Sequence, residues 1–134
     1  MESKSKLLIV SALAFAVSGC VTTEQVDKMV STSKPATQEE KRIIVEYVRE
    51  TFKDPYSIRD AEISYFFDNA PRGGRAGCVS LNAKNSFGAY IGKQFVSMVI
   101  DNGEVIRSVQ DAPGCHTIEA RGIEWQKFPE LEAL

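Results

Sequence analysis

The sequence predicts a small α+β domain, in which one N-terminal helix packs on a three- to four-stranded antiparallel meander and one disulfide staples the sheet. Three features indicate this fold: a helix with a clear start signal, four strand-like segments joined by short connections, and two cysteines downstream of residue 20. Strands that are joined by short turns pair antiparallel, and the apolar stripe of a single helix then covers one face of the sheet.

The helix is predicted to begin at Thr37. Thr37 and Glu40 have the Ser/Thr-x-x-Glu spacing of a capping box, in which the two side chains satisfy backbone N–H groups of the first turn. Asp54-Pro55 ends the helix, because the residue before a proline avoids the α region. Apolar residues at helical spacing form one core-facing stripe. They are Ile43, Ile44, Tyr47, Val48 and Phe52.

Strand patterns dominate the rest of the chain. The predicted strands are residues 58–67, 78–85, 94–101 and 104–110. Asn102-Gly103 joins the last two strands and is the favoured central pair of a type I′ hairpin turn. Residues 68–77 are predicted to be a Pro/Gly loop, and residues 117–134 a mixture of short helix and coil.

The first 19 residues are predicted to be a removable signal peptide. Lys4 and Lys6 precede an apolar run at 7–17, which is shorter than the roughly 20 residues of a membrane-spanning helix. The run ends at Val17-Ser18-Gly19-Cys20, which resembles the lipobox of bacterial lipoprotein precursors. An ordinary signal peptide with an accidental cysteine is the alternative.

The lipobox resemblance implies cleavage before Cys20 and attachment of the membrane lipid, such as palmitate, to that cysteine. Val21 follows instead of the aspartate that favours inner-membrane retention, so the resemblance implies a place in the outer membrane, facing the periplasm. Residues 20–36 are then the lipidated cysteine and a flexible tether, with a short helix around Gln25–Val30 as the alternative, and residues 37–134 are the single folded domain.

Composition and motifs argue against several function classes. A formal net charge of −2 without a clustered basic segment does not suit a nucleic-acid binder. One histidine and no G-x-S-x-G motif leave hydrolase triads unsupported. No cofactor or metal site is predicted, since Gly88–Lys93 is one residue short of a phosphate loop and a zinc site at Cys78, Cys115 and His116 would lack a fourth ligand.

Cys78 and Cys115 remain once Cys20 is lipidated, and such a pair in an exported protein is expected to form a disulfide. The alternative is a thiol enzyme in which Cys115 works with His116. Adjacent residues of an extended chain point to opposite faces, and the disulfide would consume the thiol, so we favour the structural bond.

The stretch 78–92, together with residues 54–57, resembles small exported proteobacterial proteins that share the pattern D-P-x-S … C-x-x-x-N-A-K-N-x-x-G-x-Y-x-G. This resemblance implies export and supplies no activity or site residues. The polar side chains of the stretch form a possible binding edge, with a purely structural turn as the alternative. They are Asn82, Lys84, Asn85 and Tyr90.

The predicted function is that of a membrane-anchored, non-enzymatic binding or structural module of the cell envelope. Its partners would be the membrane, through the lipid on Cys20, and an envelope protein or peptidoglycan. Two alternatives stay open: an envelope enzyme, as a thiol catalyst or a cell-wall hydrolase, and an inhibitor displayed on the membrane.

Replacing Cys20→Ser is expected to release the protein from membranes or to leave it unprocessed, because the lipobox cysteine is the residue that receives the lipid. Metabolic labelling with a fatty-acid analogue should mark the wild type and leave the variant unmarked. Equal labelling of the two proteins would contradict the lipoprotein prediction.

Overall fold

The computed structural model of the protein describes residues 21–70 and 72–134, so the predicted signal peptide and Cys20 lie outside it. The described chain forms four α-helices and one antiparallel sheet of six strands. The helices are α1 (Thr23–Thr32), α2 (Gln38–Thr51), α3 (Pro113–His116) and α4 (Pro129–Glu132). The strands are β1 (Arg59–Ser64), β2 (Phe67–Asp68), β3 (Arg75–Asn82), β4 (Gln94–Asp101), β5 (Glu104–Gln110) and β6 (Trp125–Lys127). Short 3₁₀ turns occupy Pro55–Ser57 and Glu119–Arg121.

The α+β class and the Cys78–Cys115 disulfide are confirmed, whereas the predicted count of one helix and three or four strands is wrong. The additional strands β2 and β6 have two and three residues, and α3 and α4 are single turns. Segments this short complete less than one or two periods of an apolar pattern, so periodicity cannot identify them.

The sheet has the order β5-β4-β3-β1-β6, and β2 pairs with β3 along the same edge as β1. Ile63 pairs with Val79, and Phe67 pairs with Ala76, so one extra residue lies on the β1–β2 side between these pairs. Strands β4 and β5 have the predicted bounds. Their turn has positive φ at both Asn102 (49°) and Gly103 (82°), as a type I′ turn requires.

Strand β3 begins three residues earlier than predicted and ends three residues earlier, so Arg75–Gly77 belong to the sheet and 83–85 do not. The glycines explain the error. Gly74 has the positive φ (73°) of a true turn residue, but Gly77 lies inside the strand, where the Phe66 ring takes the space of a Cβ atom.

The main core lies between α2, α4 and one face of the sheet. The predicted helix stripe is buried at Ile43, Ile44 and Val48, while Tyr47 and Phe52 pack partly buried at its border. The sheet contributes alternate residues from its strands, as expected for a half-buried surface. They include Ile63, Val79, Leu81, Val96 and Met98.

The opposite face of the sheet carries a second, smaller core, which the sequence analysis did not predict. It surrounds the disulfide and includes Ala112, Ile118 and Ile123 from the segment between β5 and β6. The described chain is therefore three layers deep near its centre, with α2 and α4 on one side of the sheet and this segment on the other.

Residues 23–32, which were predicted as part of a tether with a helix as the alternative, form α1. Thr22 begins this helix with a second capping box, because its side chain and that of Gln25 each accept the other residue's backbone N–H. The end of α1 is attached to the domain, since the Asp68 N–H donates to Thr32 Oγ1 (3.1 Å) and Lys34 and Phe66 exchange two backbone hydrogen bonds (2.9 and 2.8 Å).

A nearly buried ion pair joins the start of α2 to the start of β3. Arg75 Nη1 lies 2.6 Å from both carboxylate oxygens of Glu40, which is also the acidic residue of the predicted capping box. Arg75 Nη2 donates to the carbonyl oxygen of Phe66 at 2.7 Å. The carboxylate is satisfied by both the guanidinium and the Thr37 N–H, so its burial is compensated.

Replacing Gly77→Ala is expected to lower the free energy of unfolding by about 1–3 kcal/mol, because the added methyl overlaps the Phe66 ring and the core must shift. Urea unfolding measures the change. Gly114→Ala is the matched control, since nothing lies within 4 Å of its added Cβ and its stability should stay within about 0.5 kcal/mol of wild type. Equal unfolding midpoints for the two variants would contradict the packing argument.

Candidate functional site

The connection between β3 and β4, residues 83–93, is a loop whose shape is fixed by two asparagine side chains. Asn85 Oδ1 accepts hydrogen bonds from the N–H groups of Phe87 (2.9 Å) and Ala89 (3.2 Å). Asn82 Oδ1 accepts from the Gly92 N–H at 3.1 Å. Both asparagines of the predicted binding edge thus hold backbone, which is the structural role that the sequence left as the alternative.

Ser57 ties this loop to the turn that follows α2. Its hydroxyl donates to the Asp54 carbonyl (2.9 Å) and accepts from the Lys84 N–H (2.9 Å), while its own carbonyl accepts from the Tyr90 hydroxyl (2.8 Å). These bonds bring residues 54–57 and 78–92, the two parts of the sequence pattern, together in one hydrogen-bonded unit.

Tyr90 and Lys84, the other two predicted edge residues, lie beside each other at the base of the loop and form an isolated antiparallel bridge. The Tyr90 ring also carries cations on its surface: the Arg59 guanidinium carbon lies 3.6 Å from the ring centre and Lys84 Nζ 5.6 Å from it. These cation–π contacts place the two basic groups next to Tyr90 at the base of the loop.

Four apolar side chains are exposed at this end, and we call them the loop-end surface: Tyr56, Phe87, Tyr90 and Ile91. Phe87 is 94% exposed and Tyr56 71%. The surface accounts for four of the eight large apolar side chains that are exposed in the described part of the chain. Several exposed apolar side chains on one loop and the turn beside it are typical of an interaction site, whereas scattered single residues are not.

The loop-end surface divides the sequence pattern into two kinds of position. The residues that the pattern specifies, such as Ser57, Asn82 and Asn85, are engaged in the hydrogen bonds that shape the loop. Phe87 and Ile91 stand at unspecified positions and point outward. Neither residue is among the predicted edge residues, all of which have polar groups. The signal that could have found them is apolar residues within a Gly/Asn-rich turn, where no core can cover them.

A cleft of about 780 Å³ lies on the second face of the sheet, beside the disulfide. Phe95, His116 and Trp125 line it, with ring centres 4.4 Å apart for Phe95–His116 and 5.9 Å apart for Phe95–Trp125. Lys93 donates to Glu62 across the cleft wall at 2.6 Å.

The Lys93 ammonium is the main reason why the pKa of Glu62 lies below its usual range, and the weaker hydrogen bond from Lys127 (3.3 Å) acts in the same direction. The Glu62 carboxylate therefore stays ionised at neutral pH.

Both cysteine sulfurs are engaged in the disulfide, which spans a Cα–Cα distance of 5.7 Å. The sulfur that a thiol catalyst at Cys115 would need is therefore occupied. The neighbouring His116 ring packs against Phe95. In residues 21–70 and 72–134, no group of three or more His, Cys, Asp or Glu side chains is placed to hold a metal ion.

No protein-family model, curated protein or solved structure matches this chain. None of the helices in the described ranges is both long enough and apolar enough to span a lipid bilayer.

Replacing both Cys78→Ala and Cys115→Ala is expected to lower the free energy of unfolding by about 2–5 kcal/mol, since the bond constrains a separation of 37 residues. Denaturant unfolding of the oxidised wild type and the double variant measures this loss. Treating the wild type with a reductant should reproduce it. Two free thiols found by mass spectrometry in protein isolated from the envelope would contradict the bond.

Proposed function

We propose that the protein is a lipid-anchored, non-enzymatic binding module of the bacterial cell envelope, held in the outer membrane through Cys20 and facing the periplasm. We further propose that the loop-end surface binds a partner protein. The lipobox-like sequence and the disulfide support the location, because disulfides persist in exported compartments. The near-complete exposure of Phe87 on a loop of fixed shape is the observation that carries the binding role.

The exposure of Phe87 is unusual, because burial of a phenylalanine side chain stabilises a fold by about 1.5–3 kcal/mol relative to leaving it exposed. Instead, the backbone N–H of Phe87 donates a hydrogen bond to Asn85 Oδ1, and the ring stays exposed to water. A large side chain on an ordered loop loses little conformational entropy when it binds, so it suits the central anchor of an interface. Binding energy then depends on a pocket of matching size in the partner.

The charges around the surface indicate the chemistry of that pocket. Arg59 and Lys84 lie over the Tyr90 ring, next to the apolar residues. Asp60 approaches Arg59 at 3.7 Å, but both are largely exposed, so this contact neutralises the guanidinium only weakly. We therefore expect a partner with an apolar pocket bordered by acidic residues, whose charges would accelerate and orient the encounter.

One observation favours a second candidate, a membrane-displayed inhibitor. The hydrogen bonds of Asn82 and Asn85 hold residues 83–93 in one conformation, and an ordered projecting loop suits insertion into the cleft of a target enzyme. The two candidates share the same contact residues, and they differ in whether binding blocks an activity of the partner.

Site-specific photocrosslinking in living cells tests the proposal. A photoreactive phenylalanine analogue at position 87 or 91 is expected to give a discrete crosslinked protein, while the same analogue at Ile106 should not. Ile106 is the matched control, because it is exposed to a similar degree as Ile91 (55% against 59%) and lies on β5, outside the loop-end surface. Crosslinks to lipid alone at positions 87 and 91, or the same products at Ile106, would contradict a protein partner.

Substitutions then measure the energy at the surface. Phe87→Ala and Ile91→Ser should each weaken capture of the crosslinked partner by tenfold or more, which corresponds to about 1.4 kcal/mol. Ile106→Ser should leave it unchanged. All three side chains are exposed, so the melting temperatures of the three variants should stay close to that of the wild type. A loss of stability in all three variants would instead indicate a structural role.

A further inference from the structure

The cleft on the second face of the sheet contains an aromatic and carboxylate arrangement that suits a positively charged group. Lys93 Nζ lies 5.5 Å from the Phe95 ring centre and 5.9 Å from the Trp125 ring centre, within the range of cation–π attraction. The same ammonium contacts Glu62. An ammonium group of the protein itself thus already contacts the Glu62 carboxylate and the two aromatic rings.

We propose that this cleft is a second binding site, separate from the loop-end surface, and that it takes a primary ammonium group on a short aliphatic chain. The ligand ammonium replaces that of Lys93 on Glu62 and between the two rings. Lys93 can leave at small cost, because its side chain is half exposed and its ion pair is a surface one.

The charges of the cleft favour a cation over an anion. Glu62, Glu119 and Glu124 contribute three carboxylates to the lining, against the ammonium of Lys93 within it and that of Lys127, which contacts Glu62 from outside the lining. The rest of the lining includes the rings of Phe95, His116 and Trp125. An aliphatic chain that carries the ammonium would lie against the rings.

A hydroxyl group without a partner is buried in the sheet next to the cleft. Ser80 is fully buried, and its Oγ has no hydrogen-bond partner among the described residues. In the sheet it stands directly between Glu62 and Phe95, both of which line the cleft, and paired residues share a face. A buried polar atom without a partner is uncommon in native structures, and this one lies on the face of the sheet that carries the cleft.

Fluorescence titration can test the site, because Trp125 is the only tryptophan of the chain. The probes are cadaverine, a free diamine, and pentalysine, a peptide whose side chains carry the same group, with Nε-acetylated pentalysine as the neutral control. Saturable changes with cadaverine and pentalysine, absent with the acetylated peptide and weakened by salt, are expected. A response to pentalysine alone would identify the ligand as a lysine side chain of a peptide. A response to both probes would show that the cleft also accepts free polyamines.

The variants make the test specific. Lys93→Met should tighten cadaverine or pentalysine binding about two- to fivefold, because the competing internal ammonium is removed. Glu62→Gln should weaken binding at least tenfold, whereas Glu104→Gln, which removes the same charge at the far edge of the sheet, should change it less than twofold. Absence of saturable binding in the wild type, weaker binding in Lys93→Met, or equal effects of the two glutamate variants would overturn the proposal.

Discussion

The bond between Cys78 and Cys115 determines where residues 112–134 lie. Cys78 stands on β3, the central strand, and Cys115 lies in α3, a helix of one turn that could not hold its position by itself. Once it is fixed, the chain reaches the outer edge of β1 as β6 and returns over the main core as α4. The disulfide therefore supports the second core directly and the main core through Leu131.

The same bond builds the wall of the cleft. His116 follows the bonded cysteine and packs against Phe95 with tilted rings, and Trp125 reaches the cleft at the end of the segment that the bond holds in place. The loop-end surface relies on a different device, a set of hydrogen bonds centred on Ser57 and Asn85. Two chemically distinct constraints thus support the two surfaces, which are joined through the chain at Lys93, the last residue of the loop.

Prediction from the sequence succeeded where a pattern was long or a turn had special chemistry. Helix α2, strands β4 and β5 and the Asn102-Gly103 turn follow directly from capping, alternation and positive φ. The start of β3 was not predicted correctly, because Gly77 is a strand residue. The Phe66 ring occupies the space that a Cβ atom would need there, and no local sequence pattern contains this contact. In the candidate site, the predicted binding residues are polar, but the Asn82 side chain bonds to the backbone and the exposed side chain is that of Phe87. Exposure of an apolar side chain depends on the whole fold, so in the sequence it is visible only indirectly, as an apolar residue within a Gly/Asn-rich turn.

The attachment of α1 to the domain has a consequence for geometry at a membrane. Sixteen flexible residues between Cys20 and residue 37 would have a root-mean-square span of about 20–24 Å. With α1 packed through Thr32 against β2, only Val21 and the capping residue Thr22 separate the proposed lipid from a folded element. A lipid-anchored protein built in this way stands close to the bilayer in a restricted orientation, and it samples a thin layer above the surface instead of a hemisphere. Its encounters are then with molecules embedded in or lying on the same membrane, at the high local concentration that confinement to two dimensions provides.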